Sequence, residues 1–194
     1  MVKVGFICEG DTESILLQSG SFNSLLAELS ILSVNVINAE GSGNLLPHNI
    51  TGYIDSLEKQ DAEVIIILTD LDNDVCISQT KQRINARLQD CIIISVKQIE
   101  SWFLAETNTM RKILGEPDFF FEQPENEVIP FNTINLLLVN QTGRGIGTKS
   151  GGKIKLAKRM LDSGFSIRQS SVHPNCPSAR YFIDKLAHIS NNAD

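Results

Sequence analysis

The sequence contains no long hydrophobic run. Nowhere in its 194 residues does an apolar stretch approach the roughly 18 consecutive residues that a transmembrane helix needs. The chain also begins with a strand-like segment, V-K-V-G-F-I-C, where a secretory signal peptide would place a basic end and a small-residue cleavage site. We therefore expect a cytoplasmic protein that makes no contact with a membrane.

Cysteine and histidine are also scarce. The chain has four cysteines and three histidines, and no two cysteines have Cys-x-x-Cys spacing. The histidines do not complete a zinc-ligand pattern with them. These spacings indicate buried or free thiols in a reducing compartment, so neither a disulfide framework nor a zinc site is predicted.

An excess of positive charge is missing as well. Lys and Arg number 17 against 23 Asp and Glu, which gives a formal net charge of −6. Because non-specific affinity for nucleic acid comes from neutralising phosphates, this composition disfavours a protein that coats DNA or RNA. Between residues 149 and 168, however, six basic residues stand against Asp162 alone, so a local basic face remains open.

Four strand-like segments alternate with segments of helical spacing in the first half of the chain. The third, residues 64–68, is apolar at every position, which is typical of a strand covered on both faces of a parallel sheet. This alternation predicts an α/β fold, a Rossmann-like open parallel sheet of about four strands with helices on both faces. The predicted strands are residues 2–8, 33–38, 64–68 and 91–96.

After residue 106 the pattern loosens. Residues 115–130 contain three prolines and a Phe119-Phe120-Phe121 run, which indicates an insertion, and the Gly-rich residues 142–152 are predicted to be mobile. We therefore predict a core over residues 1–106 and an insertion loop with a mainly helical C-terminal extension over 107–194, packed on the same domain. The helices predicted in this second part are residues 132–140, 153–161 and 178–186.

Acidic residues follow the predicted strands. Glu9 comes after the first strand, Asp70 and Asp72 after the third, and Glu100 shortly after the fourth. The carboxyl ends of parallel strands meet at one edge of the sheet, where ligands bind in folds of this kind. Carboxylates gathered there repel each other, and a hard cation relieves the repulsion. We therefore predict an Mg²⁺ (or Mn²⁺) site for phosphoryl transfer, with Glu9 as a ligand or as general base.

Other acids near these positions have two interpretations. Asp11 and Glu13 lie at the start of a predicted helix, where acids cap the helix and complement its dipole, and we favour that role. Asp74 is either a ligand or a solvated loop acid. Glu100 is either part of the site or an acid in the first turn of a helix.

The ordered set of motifs resembles the Toprim domain of primases, topoisomerases and small metal-dependent nucleases. That domain has Glu-Gly after strand one, a Gly-containing turn after strand two and Asp-x-Asp after strand three. Here these are Glu9-Gly10, Gly41-Ser42-Gly43 and Asp70-Leu71-Asp72, which together cover roughly the first half of the chain.

Within that group, the opening E-G-D-T-E is similar to the OLD-type nucleases and to stand-alone bacterial Toprim-like proteins. The segment Ile99–Ala105 (I-E-S-W-F-L-A) and the Cys176-Pro177 pair before the last helix extend the likeness towards full length. The resemblance implies a metal-dependent nuclease acting on DNA or RNA.

The resemblance also implies a role for each site residue. Glu9 would be the general acid/base, and Asp70 and Asp72 would bind the metal. Further acids would be auxiliary ligands, and one of two lysines would neutralise developing phosphate charge. The auxiliary acids are Glu13, Asp74 and Glu100, and the lysines are Lys149 and Lys153.

Three other functions stay open. The chain carries no helicase, ATPase or long basic arm, so it is alternatively a non-catalytic nucleotide- or partner-binding module. The Phe119–Phe121 segment would then lie at a homodimer or partner surface, although core packing is the more frequent explanation of such a run. Residues 147–153 match the P-loop pattern G-x-x-x-x-G-K, but Ile154 stands where that motif needs Ser or Thr. A receiver-like phosphoacceptor domain also gathers acids at a sheet edge, although Glu9-Gly10 and the Asp-x-Asp pair fit Toprim better.

Overall fold

The structure, a computed structural model, describes residues 1–84, 91–147 and 149–192, without the side chains of residues 149 and 150. Its sheet has four parallel strands in the order β2-β1-β3-β4. The predicted α/β class and four-stranded parallel sheet are confirmed. The strands are β1 (Val2–Cys8), β2 (Ile31–Asn38), β3 (Val64–Asp70) and β4 (Ile92–Ser95).

Helices cover both faces of the sheet, as predicted. Helices α3 and α4 contribute to the core on one face, and the other helices contribute to the larger core on the opposite face. The helices are α1 (Asp11–Leu17), α2 (Gly20–Glu28), α3 (Pro47–Glu58), α4 (Ile77–Ile84), α5 (Glu100–Ala105), α6 (Thr107–Leu114), α7 (Pro130–Thr142), α8 (Lys149–Asp162), α9 (Ile167–Ser171) and α10 (Pro177–Asn191). Two short 3₁₀ turns lie at Ser42–Leu45 and Pro124–Asn126.

Alternate residues of the central strands divide between the two cores, because successive side chains of a strand point to opposite faces. Phe6 of β1 and Ile66 of β3 belong to the larger core, whereas Ile7 and its neighbour Ile67 belong to the smaller one. All four are buried. This two-sided burial explains why the third strand is apolar at every position.

The second half of the chain packs directly on the sheet. Four aromatic rings form a row in space. The ring centroids are 5.5 Å apart for Phe6 and Phe22, 5.9 Å for Phe22 and Phe182, and 5.8 Å for Phe182 and Trp102. Phe182 belongs to α10, so the last helix shares one core with the first strand. The division at residue 106 stays a prediction.

The three helices predicted in the second half are confirmed as α7, α8 and α10. Helix α8 begins at Lys149, so the last part of the Gly-rich residues 142–152 is helical, and the mobility of the segment stays a prediction. A Cβ at Gly152 would lie 2.7 Å from Phe131 Cζ, so glycine is needed there for α8 to approach α7. Helices α6 and α9 were not predicted. The sequence also predicts a helix over residues 78–88, of which residues 85–88 lie outside the described residues.

The three consecutive phenylalanines have different environments. Phe119 is buried, Phe121 packs against the larger core, and Phe120 is half exposed with its ring stacked on His173 at 4.9 Å. Core packing therefore accounts for two of the three rings.

None of the helices described is both long and apolar enough to cross a membrane.

Candidate metal centre at the carboxyl edge of the sheet

A cavity of about 260 Å³ opens beyond the carboxyl ends of the two central strands. Its walls come from four separate places in the chain: the end of β1 with the start of α1, the end of β3, the loop after β4, and α8. The lining residues are Glu9, Gly10, Asp11, Thr12, Glu13, Asp70, Asp72, Gln98, Lys153 and Ile154. The structure therefore brings most of the predicted site residues to one place.

Glu9 is fixed from both sides. Its carboxylate Oε2 accepts hydrogen bonds from the Thr69 hydroxyl and, at 3.2 Å, from the backbone N–H of Asp70. Its own N–H donates to Leu68 O at 3.1 Å, and its carbonyl accepts from the N–H of Gly41 at 2.7 Å. Gly41 has φ of 129°, which glycine adopts readily, so the Gly-containing turn after β2 supports the backbone of Glu9.

Asp70 and Asp72 are held by the last residue of β4 and by the segment that follows it. Asp70 Oδ1 accepts from the Ser95 hydroxyl at 2.5 Å and from the N–H of Ile99 at 2.8 Å. Asp72 Oδ1 accepts from Gln98 Nε2 at 2.9 Å. Asp72 has a left-handed backbone with φ of 47°, so the two acids do not share one extended strand, although both line the cavity.

Glu13 and Glu100 add buried carboxyl groups. Glu13, in α1, is 4% exposed, and Glu100, the first residue of α5, is fully buried. Lys153 Nζ lies 3.2 Å from Glu100 Oε2, and its side chain is 28% exposed. The ion pair therefore joins a fully buried acid to a lysine at the cavity wall.

These groups perturb each other's protonation. Burial raises the pKa of Glu13 to about 7, and Glu100 and Glu9 add to the increase. Burial likewise raises the pKa of Asp70 well above its usual range, with Glu13 and Glu100 as further causes. Burial raises the pKa of Glu100 too, although Lys153 opposes this. Burial alone would lower the pKa of Lys153, but Glu100 and Asp70 outweigh it and the pKa is raised.

The residues present fit a hard cation. Two buried oxygens in this region, Gln98 Oε1 and Glu100 Oε1, have no hydrogen-bond partner among the residues that the structure describes. Together with the carboxylates they make an oxygen-only set, which suits Mg²⁺ or Mn²⁺. No three His, Cys, Asp or Glu side chains of the described residues already stand close enough to hold one ion, so binding would require a change of side-chain rotamer.

Asp74 is not brought to the cavity. Its Oδ2 lies 2.6 Å from Arg83 Nη2 and accepts from the Thr80 hydroxyl at 2.8 Å. It lines a separate pocket beside α4. Arg83 already balances its charge, which favours a structural role for Asp74.

The two remaining candidates are Asp11 and Lys149. Asp11 lines the cavity and accepts from Asn38 Nδ2 at 2.8 Å, and no side chain caps the start of α1. Lys149 begins α8, but its side chain lies outside the described part of the chain, so its predicted role stays a prediction.

Sequence reasoning missed the residues that position the acids. Thr69 and Ser95 each carry a hydroxyl at the end of an otherwise apolar strand, and each donates to a site carboxylate. Gln98 orients Asp72. A hydroxyl-bearing residue in the last two positions of a buried strand is a signal that could have revealed Thr69 and Ser95, because a buried hydroxyl needs a partner.

Replacing Ser95 by Ala should weaken Mg²⁺ binding about 10- to 100-fold, the usual effect of removing a group that orients a metal ligand. The Ser95 hydroxyl lowers the pKa of Asp70, so its loss makes the carboxylate harder to ionise. Isothermal titration with Mg²⁺ measures the change. Ser101→Ala is the control, because Ser101 is equally buried but donates to Val96 O; equal losses in both variants would contradict the assignment.

Comparison with known proteins finds a distant structural likeness and no match in sequence. No family model and no curated protein matches the chain. Among solved structures, the chain is similar to the C-terminal region of the Burkholderia pseudomallei OLD protein, with 16% sequence identity and a TM-score of 0.48 over 96% of this chain and 99% of that one. A TM-score below 0.5 is too low to transfer a function, so the chemistry of the cavity depends on the residues of this chain.

Proposed function

We propose that the chain is a Toprim-like, Mg²⁺- or Mn²⁺-dependent nuclease that hydrolyses phosphodiester bonds of DNA or RNA. The observation that carries the proposal is the convergence of carboxyl groups from separate elements on one cavity, with raised pKa values for two of its lining acids, Glu13 and Asp70. The negative charges of such a group of acids repel each other, and a bound metal ion would offset them. The Toprim-like order of Glu9-Gly10 and Asp70-Leu71-Asp72 agrees with this function.

Glu9, Asp70 and Asp72 would hold the ion, with Glu13 and Glu100 as auxiliary ligands. When bound, the ion supplies Lewis-acid polarisation of the phosphate and offsets its negative charge.

Glu9 and Lys153 have separate roles in the proposed reaction. Both described hydrogen bonds to the Glu9 carboxylate go to Oε2, so Oε1 is available to take a proton from the attacking water. Lys153 keeps its positive charge at neutral pH and stands at the cavity wall, where it can contact a phosphate oxygen.

One observation favours a second candidate, a non-catalytic module that binds a nucleotide or a protein partner. Lys153 already pairs with Glu100 and so supplies part of the positive charge that the cavity lacks. In this case the cavity would bind its ligand without hydrolysing it, and metal would have little effect on the protein.

Nuclease assays with Mn²⁺ on plasmid, single-stranded DNA and RNA test the proposal. We expect cleavage that requires metal and falls by at least about 100-fold in Glu9→Gln, because loss of general-base catalysis costs about that much. Asp74→Asn is the matched control: it removes an acid that the sequence pattern also suggested, but one outside the cavity, and activity should persist. Purified protein that leaves all three substrates intact with Mn²⁺ would refute the nuclease.

A further inference from the structure

One face of α7 is apolar and is left uncovered by the part of the chain that the structure describes. Leu136 is 60% exposed and Val139 is 42% exposed, and Ile129, just before the helix, is also exposed. The opposite face, with Phe131, Ile134 and Leu138, is buried in the larger core. Helix α7 therefore has a second apolar stripe pointing away from the protein.

The exposed stripe has the spacing of a helix-pairing surface. Ile129, Asn132, Leu136, Val139 and Gly143 follow each other at intervals of three, four, three and four residues, and all are exposed. This is the spacing of the a and d positions along which two helices pack. A surface of this kind fits another helix of about the same length, roughly 20 Å for 13 residues.

Helix α7 contains no charged residue over its 13 positions. The protein as a whole carries a net charge of −6, so two copies repel each other, and a contact surface without charged residues adds nothing to that repulsion. A two-fold interface also requires a patch that is complementary to itself. Apolar and amide side chains meet that requirement, whereas a stripe of like charges does not.

The ends of α7 select an antiparallel arrangement. Glu127 lies before the helix and exposed Arg144 lies after it, and neither forms an ion pair within the described residues. If two α7 helices cross at Leu136 in opposite directions, Glu127 of each copy comes next to Arg144 of the other. In the same register Asn132 faces Asn140 of the second copy, and neither amide has a hydrogen-bond partner among the described side chains.

We propose that this face, the α7 stripe, pairs with the α7 stripe of a second copy in an antiparallel two-fold dimer, with Leu136 on the axis. None of the residues of the α7 stripe lines the acidic cavity, so the contact is independent of the function proposed above. A single pair of helices gives a small interface, so the dimer should form reversibly in the micromolar range.

Sedimentation equilibrium over a range of protein concentrations tests the dimer. The wild type should change from monomer to dimer as concentration rises, and Leu136→Glu should weaken association by at least about 10-fold, because it places two like charges on the axis. Val75→Glu is the control, since Val75 is 96% exposed and far along the chain from α7; its association should equal the wild type. Circular dichroism checks that both variants are folded.

Cysteine crosslinking tests the direction of pairing, in a background where the two partly exposed cysteines, Cys76 and Cys91, are replaced by Ser. Leu136→Cys should crosslink to itself on oxidation. Asn132→Cys alone should not, but should crosslink when mixed with Asn140→Cys. A wild-type protein that stays monomeric at hundreds of micromolar overturns the proposal, as does efficient crosslinking of Asn132→Cys to itself, which would indicate a parallel pair.

Discussion

Lys153→Met should lower the free energy of unfolding by about 3–5 kcal/mol at neutral pH, the usual cost of removing one partner of a buried ion pair. Lys153 is the partner of Glu100, whose side chain is fully buried, and it also offsets the charge of Asp70 and Glu13. Methionine keeps the length of the aliphatic chain, so the change isolates the charge. Urea unfolding at pH 7 measures the effect.

Two further variants make this result specific. Lys155→Met, two residues on in α8 and exposed, should change stability by less than about 0.5 kcal/mol. The double variant Lys153→Met/Glu100→Gln should recover most of the loss, because no uncompensated charge remains buried. If Lys153→Met and Lys155→Met are equally stable, the ion pair does not hold the cavity wall in place.

The fold was largely predictable because its strands have strong local signals. Residues 64–68 are apolar without interruption, which only a strand covered on two faces explains well, and the structure has β3 from Val64 to Asp70. Helix α6 was missed because its start carries no common cap: the Glu106 side chain accepts from the N–H of Thr109 at 2.6 Å, a role more typical of Ser, Thr, Asp or Asn. Helix α9 has only five residues, too few to show a period.

The glycines between α7 and α8 did not reveal that α8 begins as early as Lys149. A glycine gives the chain freedom, and it also allows two elements to approach closely. Gly152 serves the second purpose, because Phe131 occupies the space that a Cβ would need. Composition cannot separate these two uses, since the difference depends on a contact between residues that are distant in sequence.

Some features of the candidate site could be predicted from the sequence and others could not. Parallel strands end at one edge, so the positions of Glu9 and Asp70 beside the cavity followed from the sequence. The burial of Glu100 and its pairing with Lys153 could not be predicted from the sequence, because they depend on a contact between residues 53 positions apart in the chain. The orientation of Asp74 towards Arg83 was also not predictable, since it is set by the turn that precedes α4.

Without metal, the protein should become less stable as the pH rises from about 4.5 to above 7, by an amount on the order of 3 kcal/mol. Burial raises the pKa of Glu13 from 4.5 to about 7, so in this window the folded state keeps a proton that the unfolded state releases. The stability from this group is complete below pH 4.5 and is lost as pH passes 7. The raised pKa values of Asp70 and Glu100 act in the same direction.

Glu13→Gln tests whether the Glu13 carboxyl group causes this pH dependence, and added Mg²⁺ tests whether a metal ion competes with the protons. The Glu13→Gln variant lacks the titrating group, so its unfolding free energy should vary much less between pH 5 and pH 8. A metal ion competes with protons for the same oxygens, so saturating Mg²⁺ should stabilise the wild type more at pH 8 than at pH 5. Urea unfolding at both pH values, with EDTA or with Mg²⁺, measures this. If metal-free protein is more stable at pH 8 than at pH 5, the buried carboxyl groups are ionised in the folded state without metal. The protein itself then balances their charge, which contradicts the proposed cation site.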